Sequence, residues 1–345
     1  MVEFGIFNLM GYRQASTDIS QTFEETVSVV KRAEEGGFEA AWFAEHHFSN
    51  YCVCPSPLLM VSHVAAHTQK IRLGPAVIVV PLYDPIRLLS DIGMASALCG
   101  NRLELGIGSG YQPYEFDRFS ENLDKSKFKL NEFIELMDEA FGKETFSFQG
   151  EITNLPETSI STRPSHLPPI WIAGDSEFTH RMAAQKRYTP IITGRWGGPE
   201  YLALQRERIA NSYLLEGKKL EECPMGILRF ACVTENKDET MEYLENARYQ
   251  LRLAASLRSR AEVMDGPMMI EKQVPEEPSL EEMEENLPVG PPEVVAEKLI
   301  ADIRASGASH VMLNIRAGSS TMEQAYRTID AFSSTIRPII DAELH

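Results

Sequence analysis

The chain has 345 residues, 43% hydrophobic and 24% charged, with a formal net charge of −17, the balance of a folded globular protein. An acidic chain without a Lys/Arg cluster argues against nucleic acid or an anionic membrane surface as partner. No apolar run approaches the ~20 residues that cross a bilayer, and residues 2–7 open as a strand without the basic flank of a signal peptide, so a cytoplasmic protein is expected.

Short apolar, β-branched runs alternate with segments of helical period. Residues 2–8 read as a strand, followed by a helix over 21–35 that stops at Gly36-Gly37. A strand at 40–45 and a helix at 56–69 come next, then a strand at 71–80 and a helix at 85–98 with proline in its first turn. Residues 102–108 form the fourth strand and 125–141 the fourth helix. Further strands fall at 170–173, 190–193, 226–233 and 310–315, with helices at 177–186, 199–216, 237–259, 292–306 and 321–336. The strands are almost continuously apolar, as in Ala76-Val77-Ile78-Val79-Val80, which marks a parallel sheet covered on both faces. Eight such units favour a single (β/α)8 TIM barrel over residues 1–345, with an open doubly wound sheet as the alternative.

Two stretches interrupt the rhythm. Residues 145–169 predict a small hairpin or an excursion over the barrel mouth. Residues 264–292 carry five prolines between 267 and 291 and the acidic run 281–285, the composition of a disordered insertion or a mobile lid.

Several familiar motifs fail. Gly106-Ile107-Gly108 needs a further glycine three residues on, where Tyr111 stands, so the dinucleotide fingerprint is absent. Neither a P-loop nor G-x-S-x-G occurs. Cys52, Cys54, Cys99, Cys223 and Cys232 have no zinc-site spacing and read as free or buried thiols. In Glu45-His46-His47 the adjacent histidines point to opposite sides of a strand end, so they do not share an ion and no metal site is expected. His46 follows the second strand, on the face where a barrel carries its active site. Asp175-Ser176 opens a helix, with Thr179 one turn along; free amides and hydroxyls there suit an anion, whereas a plain helix cap is the simpler alternative.

Three segments together resemble the bacterial luciferase-like flavin-dependent monooxygenases: Gly37 to Phe48 around Glu45-His46-His47; Leu73 to Pro81 with Asp84-Pro85-Ile86-Arg87 and Gly100 to Gly110; and Pro169 to Ser176 followed by Ala183-Ala184. The resemblance spans nearly the whole chain. It implies a reduced-FMN-dependent monooxygenase that oxygenates a small organic substrate with O2 through a flavin hydroperoxide, served by a separate NAD(P)H flavin reductase. It implies His46 as the active-site histidine, with His47 structural, and a non-proline cis peptide at Ala76-Val77 beneath the flavin ring. Ser109, Ala173, Gly174, Asp175, Ser176 and Thr179 complete the implied cofactor-binding set. Glu-His-His at the second strand favours FMN over deazaflavin. Luciferase itself has arginine at the position of Ser109 and cysteine at that of Gly108, so the phosphate lacks that cation here. A homodimer packed through the second and third helices is implied as well. The alternatives are a deazaflavin-dependent oxidoreductase on this fold, a non-catalytic flavin-binding subunit, and a metal-dependent barrel hydrolase. Phe7, Met10, Tyr111 and Trp196 are candidate pocket residues.

Overall fold

The computed structural model describes residues 2–222 and 224–344, so Cys223 lies outside the described residues. Eight parallel strands form the barrel: β1 (Glu3–Asn8), β2 (Ala40–Phe43), β3 (Arg72–Pro75, resuming at Ile78–Val79), β4 (Leu105–Gly108), β5 (Ile170–Ala173), β6 (Thr189–Thr193), β7 (Gly226–Phe230) and β8 (His310–Asn314). Each pairs with its successor and β8 pairs with β1, with Phe7 beside Trp42 and Ile107 beside Ile172 in register. Between β3 and β4 the ring is joined by Ile78 opposite Ile107 and a bridge from Leu73 to Leu103. The expected unbroken strand at 71–80 is therefore two pieces separated at Ala76-Val77.

The surrounding helices begin where the chain supplies caps. The Asp18 carboxylate accepts from the Ser20 N–H ahead of Ile19–Glu35, and Asp84 caps Pro85–Leu98, whose leading proline needs no partner. The helices Glu177–Lys186, Lys237–Ser259 and Pro292–Ser306 have the bounds read from sequence. The expected final helix at 321–336 is instead Met322–Ala331, a π-helical turn at Phe332–Ile336, and a further helix Arg337–Leu344. Among the described residues no helix is long and apolar enough to cross a membrane.

The N-terminal end of the barrel is plugged by indoles. Trp42 and Trp171 meet edge to face at 4.8 Å, and Trp171 donates to the Glu104 carboxylate at 2.7 Å. Glycines on three strands make the space: a Cβ on Gly5 would lie 2.9 Å from Trp42 Nε1, one on Gly74 2.8 Å from Trp42 Cζ3, and one on Gly226 2.9 Å from Trp171 Cζ3. Such close packing leaves no passage through the floor. A cavity of about 450 Å³ opens at the other end.

Both interruptions are structured. Phe146–Gln149 pairs antiparallel with Asn154–Thr158, and the Glu132 carboxylate accepts the N–H groups of Glu151, Ile152 and Thr153 at its turn. Within 264–292, Met264–Asp265 pairs with Met268–Met269, Leu280–Asn286 is a helix with a capping box, and Val289–Gly290 pairs with Cys232–Val233 just beyond β7. The segment is fastened by Asn50, which accepts from the Met269 N–H at 2.8 Å, and by Arg252, paired with Glu271 and Glu277.

Candidate active site

Above the plug, inward positions of successive strands become small. Ala44, Ala76, Gly108 and Ala173 line a cavity of about 450 Å³ at the C-terminal strand ends, with Phe7, Leu228 and Met312 beneath. His46, Ala76, Val77, Ser109, Ala173, Gly174, Asp175, Ser176 and Thr179 all line this one cavity. Tyr111 and Trp196 line it too, whereas Met10 sits at a separate polar cleft with Arg13 and Arg316.

The Ala76-Val77 peptide bond is cis. Past that point the Val79 N–H donates to Glu45 Oε2 at 3.0 Å, and the other oxygen of Glu45 meets His47 Nε2 at 3.0 Å. Burial pushes the Glu45 carboxyl above its usual range, against the bonds from His47 and Val79. His47 faces away from the cavity, packed on Phe48 and Phe119. Glu45 and His47 thus brace the broken strand, and His46 alone of the triplet's two histidines reaches the cavity.

His46 is held by residues that sequence reading had not joined to it. Its Nδ1 lies 3.1 Å from Glu115 Oε1 and 3.0 Å from Gln112 Nε2. Glu115 sits on a short helix, Pro113–Arg118, that follows β4 and was not expected; it is 1% exposed and also accepts the His47 N–H at 2.7 Å. Nδ1 is thus engaged within the protein by a carboxylate and an amide, while the ring lines the cavity. The second oxygen of Glu115 and the carbonyl oxygen of Gln112 are buried without a partner in the protein.

Another part of the lining is cationic. Ser176 caps Glu177–Lys186 by accepting from the Thr179 N–H at 3.3 Å, and the two hydroxyls lie 3.0 Å apart. Gly174 lies beside them, where a Cβ would fall 2.7 Å from Thr179 Oγ1. Arg195 and Arg258, from the segments after β6 and β7, reach the same Asp175 oxygen at 3.6 and 3.3 Å, and Lys127 also lines the cavity. Three cationic side chains therefore line this cavity although Ser109 is not an arginine. Among the described residues no group of three or more His, Cys, Asp or Glu could hold a metal.

The chain is similar to known proteins over nearly its whole length. Residues 2–310 match the family model for luciferase-like monooxygenases. Uncharacterized protein y4vJ of Sinorhizobium fredii is 35% identical over 349 residues, 99% of each chain. The oxygenase component of flavin-dependent trigonelline monooxygenase from Acinetobacter baylyi is 29% identical over 182 residues, half of each chain. Among solved structures, the oxygenating constituent of 3,6-diketocamphane monooxygenase from Pseudomonas putida, in complex with FMN, superposes with a TM-score of 0.78 at 20% identity, over 98% of both chains. An F420-dependent secondary alcohol dehydrogenase superposes at 0.75 with 15% identity, over 98% of this chain and 99% of that one. At these identities the superpositions speak to fold alone.

Proposed function

The chain belongs to the luciferase-like monooxygenase family, and we propose that it is the oxygenase of a two-component system that uses reduced FMN and O2 to oxygenate a small organic substrate. A separate NAD(P)H flavin reductase would supply the flavin, as the word component in the trigonelline enzyme's name suggests for that relative. One observation supports this reading: a single cavity joins a corner suited to an anion to a histidine whose Nδ1 is held by Glu115.

The residues present fit FMN. Ser176 and Thr179 at a helix N-terminus, with Arg195, Arg258 and Lys127 on the same cavity, form a phosphate cradle that Gly174 leaves unobstructed. The orphaned oxygens of Glu115 and Gln112 add a polar group beside His46. Reduced FMN, when bound, supplies the electrons that activate O2. His46 Nε2 then accepts or returns a proton at the cavity wall, while Glu115 holds the ring and stabilises its charged form. Residues 264–292 act as a cover, with Val274 reaching the cavity, and keep water from the reacting centre.

Anaerobic titration with reduced FMN, followed by mixing with oxygen, tests the proposal. Saturable binding and reoxidation slower than that of free reduced FMN are expected. Ser176→Ala and Arg258→Ala should each weaken binding about tenfold, the size of one charge-assisted hydrogen bond. Failure to bind reduced FMN, with saturation by reduced F420 instead, would transfer the chain to the deazaflavin reading.

The implied homodimer has a surface to use. Leu59 is 70% exposed, Met94 55% and Leu98 54%, on the neighbouring helices Pro57–Ala65 and Pro85–Leu98. Buried charge is costly at such a seam, so Leu59→Glu with Met94→Glu should halve the mass seen by light scattering. A monomeric parent protein would refute the dimer.

A further inference from the structure

Met312 and Asn314 stand two residues apart on β8, so both point to the same face, and both line the cavity. The Asn314 backbone carbonyl is spent on the Tyr243 hydroxyl and the Ala231 N–H. The Asn314 side chain is buried, and its Nδ2 donates to Gln250 Oε1 at 3.2 Å. Gln250 is buried as well, on the face of the helix Lys237–Ser259 that brings Ala254 and Arg258 to the same cavity at four-residue spacing. Asn314 Oδ1 has no partner in the protein. One bond between two primary amides leaves the donating amide its oxygen and the accepting amide its NH2. Turning both amides over only exchanges the two ends, so the pair always presents one acceptor and one donor. A buried oxygen of this kind calls for a ligand that donates to it.

We propose that the Gln250–Asn314 pair reads a lactam or secondary-amide edge of the organic substrate, Asn314 Oδ1 accepting its N–H and Gln250 donating to its oxygen. The assignment rests on the flavin-oxygenase reading and gives that site a substrate class, neutral compounds with an N–H beside an acceptor. A ketone or aldehyde fills the donor side alone and leaves Asn314 Oδ1 stranded. A carboxylate has nothing to donate, and two uncharged amides give it no counter-charge. A site built to pair with a substrate N–H rejects the analogue that lacks it more strongly than an apolar pocket discriminates size. Both residues are therefore specificity-determining, and neither takes part in proton transfer.

The test is anaerobic calorimetry on protein loaded with reduced FMN, titrated with 2-piperidone, N-methyl-2-piperidone and cyclohexanone. These six-membered rings share an acceptor oxygen, and the first alone adds an N–H. It is expected to bind about tenfold more tightly than the other two, the size of one hydrogen bond to a buried partner. Asn314→Leu should erase that preference. Gln250→Glu, which keeps the size of the side chain and removes the donor, should weaken 2-piperidone about tenfold. Reduced-FMN affinity should be unchanged in both. Equal affinities in the parent protein would overturn the assignment. So would a preference that survives both substitutions, the behaviour of a pair that only ties the helix to β8. Loss of reduced-FMN affinity with the lactam preference intact would move the pair to the flavin's own amide edge, and overturns it too. Failure of the parent protein to load with reduced FMN, measured before any ring is added, would instead count against the oxygenase reading and take this inference with it.

Discussion

Replacing His46 by alanine should slow oxygenation by about 10²–10⁴-fold, the usual share of a positioned proton-transfer group, while reduced FMN still binds. The separation is expected because the proposed phosphate cradle is supplied by Ser176, Thr179, Arg195 and Arg258, whereas the imidazole is held by Glu115 and Gln112. Glu115→Gln should mimic part of the loss. A neutral amide keeps the size of the side chain but removes the charge that fixes the Nδ1 proton and stabilises the imidazolium. Its mark would be a changed pH dependence of the oxygenation rate, which loss of packing alone would not give. Turnover that survives His46→Ala intact, measured under single-turnover conditions, would remove this histidine from the chemistry.

The largest stability effect is expected at Arg229, outside the cavity. Its side chain is fully buried, with Nε donating to Asp302 at 2.8 Å and the two terminal nitrogens to the Gly197 and Asn286 carbonyls at 2.7 Å each. Gly194 makes the room, since a Cβ there would fall 2.3 Å from Arg229 Nη1. Arg229→Met should destabilise the protein by about 3–5 kcal/mol, because it strands the Asp302 charge in the interior. Adding Asp302→Leu should recover much of that loss, as a well-packed apolar pair often does.

Burial raises the Asp302 carboxyl to about 6 even with Arg229 opposing the shift. A folded value above the unfolded one means that its contribution to stability is full at acid pH, below the unfolded aspartate value. It is lost as pH rises through about 6. Without the arginine the shift grows, so the deficit of Arg229→Met should be smaller at pH 5 than at pH 8 in urea unfolding. A deficit that does not change with pH would mean that Asp302 is not the group left uncompensated.

Periodicity alone gave eight strands because inward and outward faces of a covered parallel strand are both apolar, and such runs stand out between polar helices. The same uniformity hid the break at Ala76-Val77: five consecutive apolar residues read identically whether or not they stay in the ladder. That position came from resemblance, as did the gathering of the cofactor set. Glu115 was missed because a carboxylate in a polar stretch reads as solvated, and its contact with His46 spans 69 residues. Arg195 and Arg258 are separated by the helix Pro199–Leu215, a strand and nearly all of a second long helix, so their convergence on Asp175 is a product of barrel closure. Arg229 was the most legible omission. A lone arginine within the apolar run 226–233 must have a buried counter-charge, and Asp302 in an amphipathic helix was available to be named.

The indole-packed floor also bears on kinetics. A barrel sealed at one end is a vessel with a single opening, so whatever occupies its deepest part has to enter first and leave last. Two ligands sharing that opening cannot exchange independently once both are inside. Binding order, and the inhibition pattern that excess of the shallower ligand produces, would then trace to the packing of Trp42 and Trp171 against three glycines.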